Sequence, residues 1–208
     1  MLNIVTLLTT LVAGPLACTL DTNGLAKPAP YAINHNLNVK LPAYIFVYID
    51  AIMAKHYWLL KTEPSTFSIQ DLEKAPKKTT FWEGVRNYQA RNFLRDDIKV
   101  GDNVFIYHSN TEEPGIMGTA KVVKNGYPDE SQYNTKSKYY DSASTSEKPR
   151  WYVVDIQHQQ TFKHPVFLKN LRATSTLTQM VLLQKGSRLS VQPVSEGEWK
   201  TILKMAQA

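Results

Sequence analysis

Cysteine is nearly absent: Cys18 is the only one in 208 residues. That excludes an internal disulfide framework and any cysteine-based zinc site. No Gly-rich phosphate loop, G-x-S-x-G elbow or H-E-x-x-H pair occurs. His56, His108, His158 and His164 lack the i, i+4 spacing of helical metal ligands. Residues 1–52 have almost no charge, with Lys27 and Lys40 balanced by Asp21 and Asp50, so the whole formal excess of +6 lies after them. No apolar run is long and clean enough to span a bilayer: residues 3–20 are diluted by Thr, Gly14 and Pro15, and Leu41–Ile49 is too short. These absences argue against a metal, a cofactor or a membrane, and they leave little from which to assemble an enzyme.

The charge asymmetry divides the chain. No Lys or Arg precedes the apolar start, so it makes a poor export signal. Residues 1–52 are read as an extension outside the fold, with residues 53–208 as the working domain and Met53 (MAKHYWLLKTEP) as its start; a degenerate signal or a genuine N-terminal arm are the alternatives. A basic domain favours anionic partners, nucleic acid foremost. With no cysteine after residue 18 the body suits a reducing compartment, cytoplasmic or, in a eukaryote, nuclear.

Within the body, YWLLK at 57–61 is β-prone, and Ser68 with Asp71 forms a capping-box start for a short helix. A brief strand at 79–82 and the helix NYQARNFLRD follow. NVFIYHS and GIMGTAKVV read as paired strands, WYVVDIQ (151–157) as another, with a separate short strand near 165–168 and a late one at 189–194. Residues 171–183 mix helical and extended signals. Ser195 and Glu198 open a final helix whose Trp199, Ile202, Leu203 and Ala206 share one face. Strands with separate short helices predict an α+β domain, a partly closed β-barrel with peripheral helices.

The most unusual stretch is FWEGVRNYQARNFLRD, residues 81–96. Trp82 is either a core residue or a stacking surface for a base. Asn87, Tyr88 and Gln89 offer an aromatic ring and amides able to read a base edge, and Arg86 and Arg91 can hold phosphates. The polar loop 128–150 interleaves Tyr133, Tyr139 and Tyr140 with lysines, which suits single-stranded nucleic acid or a surface loop alike. Ser190 and Gln192 share a strand face, either at an exposed edge or aimed into a pocket, with Arg188 beside them.

WLLKTEPSTFSIQDL, FWEGVRNYQARNFLRD, VGDNVFIYHSN, PGIMGTAKVV, YPDESQY, PRWYVVDI and GSRLSVQPV, in that order, resemble the EVE domain of the thymocyte nuclear protein family. The resemblance spans about residues 57–203 and implies a PUA-like fold related to YTH readers of modified bases. It implies a non-catalytic protein that binds DNA or RNA by enclosing a modified base, a modified cytosine first among them, without cofactor or metal. By position Trp82 would be the cage tryptophan, Lys61, Thr62, Glu63 and Ser65 the pocket mouth, and Tyr107 to Ser109 its floor. Asn87 and Gln89 would read the base edge, Tyr133, Tyr139 or Tyr140 would replace a second cage tryptophan, and Arg86, Arg91 and Arg188 would hold phosphates. A nucleic-acid enzyme on the same fold, relying on Glu63 or Asp155, and an interaction module with a non-binding pocket are the alternatives.

Overall fold

The computed structural model describes residues 18–20, 26–28 and 56–207, which fall in two units, residues 1–51 and residues 52–208. In the first, β1 (Cys18–Leu20) and β2 (Ala26–Pro28) pair antiparallel, with Thr19 opposite Lys27. The expectations for the apolar run 41–49 and for Met53 lie outside the described residues.

In the second unit, β3 (Tyr57–Thr62) and β5 (Asn103–His108) are near-continuous apolar runs because both of their faces are buried. They run parallel and adjacent at the centre of a six-stranded mixed sheet. A parallel pair cannot be joined by a tight hairpin. The crossover between them carries α1 (Ile69–Lys74), β4 (Thr79–Phe81) and α2 (Tyr88–Asn92). The long strands β6 (Gly115–Pro128) and β7 (Tyr152–Phe167) and the short β8 (Val191–Val194) complete the order β4-β7-β6-β5-β3-β8. All pairs other than β3 with β5 are antiparallel. Repeated register shifts between β6 and β7 bend the sheet, which stays open between β4 and β8.

Alternation along the central strands builds two cores. Trp58, Leu60, Val104 and Ile106 pack with Leu72, Trp82 and Leu94, carried by α1 and the crossover. Leu59, Phe105 and Tyr107 pack on the other face with Leu171 of α3 (Leu168–Ala173) and with Trp199 and Ile202 of α4 (Glu196–Met205). Both expected capping boxes form, Ser68 with Asp71 and Ser195 with Glu198.

Two expectations change. The strands expected at 151–157 and 165–168 are one strand, β7, because a bulge absorbs Pro165: Gly118 pairs with Thr161 and Ile116 with Val166, leaving residues 162–165 outside the ladder. The undecided stretch 171–183 is the end of α3 followed by two single 3₁₀ turns, Ser175–Leu177 and Val181–Leu183.

Candidate functional site

The β3 strand ends in the turn Thr62–Phe67, where the Glu63 carbonyl accepts from Thr66 N and Phe67 N, both at 2.9 Å. Thr62 Oγ1 donates to the Phe67 carbonyl at 2.9 Å, and Ser109, just past β5, is held to the Thr62 carbonyl through its amide (2.8 Å) and its hydroxyl (3.2 Å). At the other end of the turn His108, buried, accepts from Ile69 N through Nε2 at 3.0 Å, so that nitrogen carries no proton. Burial holds the imidazole pKa below its ordinary value, with Asp71 pulling weakly the other way.

This turn borders a cleft of about 500 Å³ lined also by Trp82, Phe67 and Phe81. Trp82 follows edge strand β4 and continues its pairing, donating its amide to the Val154 carbonyl at 2.8 Å. It is only 6% exposed, belongs to the core, and meets Phe67 edge-on at 6.4 Å between centroids. Phe81 is 54% exposed at the mouth.

A second wall is Tyr139, from the 128–150 loop. Side chains, not strands, organise this loop. Gln132 is wholly buried and uses both ends of its amide: Nε2 donates to the Asp129 and Trp151 carbonyls (2.8 and 3.1 Å), and Oε1 accepts from Arg150 N and Trp151 N (both 3.0 Å). Asp129, 2% exposed, accepts from Ser131 and, at 2.8 Å, from Arg86 Nη1. Burial pushes the Asp129 carboxyl up, but the Ser131 and Arg86 hydrogen bonds outweigh it and hold the pKa below the ordinary value. Arg86 also donates Nε and Nη2 to the Tyr139 carbonyl (3.0 and 2.6 Å). Its guanidinium lies between the Tyr139 and Trp151 rings, 5.2 and 5.3 Å from their centroids. Gly84, at φ +80°, lets the chain pass close to Tyr139: a Cβ there would come within 2.4 Å of the ring.

Lys61, Lys138 and Arg188 line the cleft, as do Glu63 and Glu83. Among the described residues none of the three cations has a carboxylate at ion-pair distance. Burial lowers the Lys61 pKa. Burial raises that of Glu83, reinforced by Asp129 and opposed by Arg86 and Lys138. Among the described residues no cluster of three or more His, Cys, Asp or Glu could hold a metal, and no helix is long and apolar enough to cross a membrane.

Of the residues expected at the site, the cleft gathers Lys61, Thr62, Glu63, Trp82, Ser109, Arg188 and Ser190. The others lie elsewhere. Ser65 sits exposed in the turn, outside the lining. Asn87 is the N-cap of α2, accepting from Ala90 N at 3.0 Å, and Gln89 is exposed on that helix. Tyr88, 49% exposed, stacks on Trp151 and hydrogen-bonds Arg150. Arg86 is spent on the loop, and Arg91 donates to the Arg150 carbonyl at 2.6 Å and to Asn92. Tyr107 is in the core on the opposite face of the sheet from Trp82. Of the three loop tyrosines expected to supply a second wall, Tyr139 lines the cleft and Tyr133 and Tyr140 do not. Gln192 is buried, donating to Ser187 and to the Leu189 carbonyl. Sequence reasoning passed over Phe67, Phe81 and Glu83; the one available signal was their adjacency to Trp82 and to the KTEP turn.

Residues 56–205 match the EVE domain family. Thymocyte nuclear protein 1 of Gallus gallus is 42% identical over 168 residues, 73% of this chain and 69% of that protein. A crystal structure of a Pseudomonas syringae protein is 47% identical with a TM-score of 0.69, covering 72% of this chain and 99% of that one. The crystal structure of the human THYN1 protein in complex with 5-methylcytosine-containing DNA is 40% identical with a TM-score of 0.70, covering 74% of this chain and 99% of that one. The open six-stranded sheet with short helices is the α+β, PUA-like fold of these structures. The chain belongs to the EVE domain family.

Proposed function

We propose that this protein is a reader of modified DNA, holding a single modified base, 5-methylcytosine first among them, in the cleft between Trp82 and Tyr139, and that it does so without chemistry. The cleft carries the reading: about 500 Å³ of space lined by Trp82 and Tyr139 and by three cations that have no ion-pair partner among the described residues. The human relative solved with 5-methylcytosine-containing DNA supports the choice of ligand. In a eukaryotic cell such a reader works in the nucleus.

A base enters the cleft only if it is flipped out of its duplex, at a cost of a few kcal/mol. Stacking on aromatic rings returns about 1–3 kcal/mol per base, and hydrogen bonds to the base edge add to that. Arg86 and Arg91 hold protein groups, so the flanking phosphates fall to Lys138 and Arg188, both exposed at the cleft. Lys61, half-buried, donates deeper in.

The test is fluorescence anisotropy of the full chain on duplexes that differ by a single 5-methyl group. The wild type should prefer the methylated duplex, and Tyr139→Ala and Trp82→Ala should each lose that preference. Equal ratios in wild type and both variants would sink the pocket. An enzyme on the same fold would draw on the titratable groups of the cleft, Lys61 and Glu83 among them. An altered nucleoside released by the wild type, and not by Lys61→Ala, would replace the reader with that enzyme.

A further inference from the structure

Stacking cannot by itself tell 5-methylcytosine from thymine. Both rings carry the C5 methyl and offer similar faces. They differ on the pairing edge: at C4 cytosine has an amino donor and thymine a carbonyl acceptor, and at N3 cytosine has a lone pair and thymine an N–H. Thymine is abundant in any DNA, so a pocket for methylated cytosine needs a group that accepts from the amino hydrogen and rejects the oxygen.

The amides expected to do this are not available, since Asn87 caps α2 and Gln89 lies outside the cleft. The polar side chains that line it are hydroxyls, three cations and two carboxyls. A hydroxyl both donates and accepts, so it turns to suit either base. An ammonium or guanidinium only donates, so at C4 it favours the carbonyl of thymine and it cannot read the cytosine amino group. An ionised carboxylate only accepts, which is the selective arrangement, and glutamate is a known partner for the cytosine amino group.

Glu83 and Glu63 differ in position. Glu63 belongs to the turn after β3. Glu83 lies between Trp82, one wall, and Gly84, whose backbone is packed against the ring of Tyr139, the other wall. Glu83 therefore lines the cleft at the point of the chain that links the two aromatic residues. Among the described residues Glu83 has no ion pair and its carboxylate accepts no hydrogen bond, whereas Asp129 beside it is fully engaged with Arg86 and Ser131. The carboxyl of Glu83 is thus free for a ligand, and of the two cleft carboxyls it is the one that directly follows Trp82 and precedes the glycine packed on Tyr139.

We propose that Glu83 accepts the 4-amino hydrogen of the bound base and is the residue by which the cleft selects 5-methylcytosine over thymine. This rests on the pocket reading above.

The experiment measures the full-chain protein on otherwise identical duplexes carrying one 5-methylcytosine or one thymine at the same position, each opposite an abasic site so that base pairing contributes equally. Glu83→Gln is isosteric and can both donate and accept, so it should bind thymine better and reduce the wild-type preference about 10-fold. Glu63→Gln should leave the ratio within about twofold. If Glu83→Gln keeps the wild-type ratio, or if Glu63→Gln collapses it instead, the assignment to Glu83 is wrong while the pocket stands. If the wild type binds neither duplex above an unmodified control, the pocket reading has failed and the assignment goes with it.

Discussion

The two walls of the cleft are built by opposite means. Trp82 is fixed by the sheet and the core: its amide extends the β4–β7 ladder, and its ring meets Phe67 within the core cluster that holds Trp58 and Leu60. Tyr139 stands on a loop with no strand and a single 3₁₀ turn, fixed by the guanidinium of Arg86 from 53 residues away. One wall is therefore part of the core, whereas the other is a surface element held by a small set of hydrogen bonds. That difference predicts that the same substitution on each wall will affect stability and binding in different proportion.

The largest effect should come from Trp82→Ala. Removing a 6% exposed tryptophan from the core leaves a cavity, and urea unfolding should show a loss of about 3–5 kcal/mol. Tyr139→Ala, at a half-exposed loop position, should change stability by no more than about 0.5 kcal/mol. Both should weaken the methylated duplex by a comparable factor. If the two variants unfold at the same urea concentration, the contrast between a core wall and a surface wall is wrong.

Arg86→Ala comes next. It leaves the buried Asp129 carboxylate without its ion-pair partner, and truncating one side of a buried pair costs about 3 kcal/mol or more. The loss should be concentrated in the loop, so hydrogen exchange should speed up across residues 129–141 and leave β3 and β5 protected. Arg86→Lys should restore charge to Asp129 but not the paired hydrogen bonds to the Tyr139 carbonyl, and so recover stability better than binding. Uniform exchange throughout the domain would mean that the loop and the sheet are one cooperative element.

The same contrast explains what was legible in the sequence. Ser68–Asp71 and Ser195–Glu198 could be read because a capping box is complete within four residues. The central strands could be read because burial on both faces leaves an unbroken apolar run. Trp82 stood out for its own rarity and its neighbours. Arg86 and Asn87 look free for a ligand in the sequence, but each is engaged by its own protein, Arg86 by the distant Tyr139 carbonyl and Asn87 by the first turn of α2. Of Tyr133, Tyr139 and Tyr140 it is Tyr139 whose ring lies against Gly84, and no local pattern encodes that contact. The fusion of two expected segments into β7 likewise depended on β6, the partner strand.

Gly84→Ala addresses the meeting of the walls directly. The new Cβ would lie 2.4 Å from the Tyr139 ring at a positive φ, so the ring must move. Strain of about 1–2 kcal/mol follows from the backbone alone. Affinity for the methylated duplex should fall about 10-fold as the wall is displaced, with a crystal structure of the variant showing Tyr139 shifted from Gly84. Tyr139→Ala in the same chain should relieve the clash with the ring but not the backbone strain, so the double variant should be more stable than the sum of the two single losses predicts. Additive losses would mean that the ring and the glycine are not coupled.

The smallest effect concerns the turn beside the Trp82 wall. His108 Nε2 accepts from Ile69 N and must be unprotonated to do so. Burial depresses its folded pKa, so the unfolded chain binds the proton more readily. The stability that this histidine supports is therefore fully present above its unfolded value, roughly 6.5, and is lost as pH falls from there toward the lower folded value. His108→Gln keeps an acceptor without a titration, so its melting temperature should decline less steeply between about pH 7.5 and pH 5.5 than that of the wild type. Some slope should remain in both proteins, because burial also lowers the pKa of His158, which bonds Thr161 on the far part of β7. An unchanged slope in His108→Gln would place the acid sensitivity at His158 and leave the turn beside Trp82 indifferent to pH. A flattened slope accompanied by retained low-pH binding would instead tie the acid response of the cleft to the hydrogen bond between His108 and the start of α1.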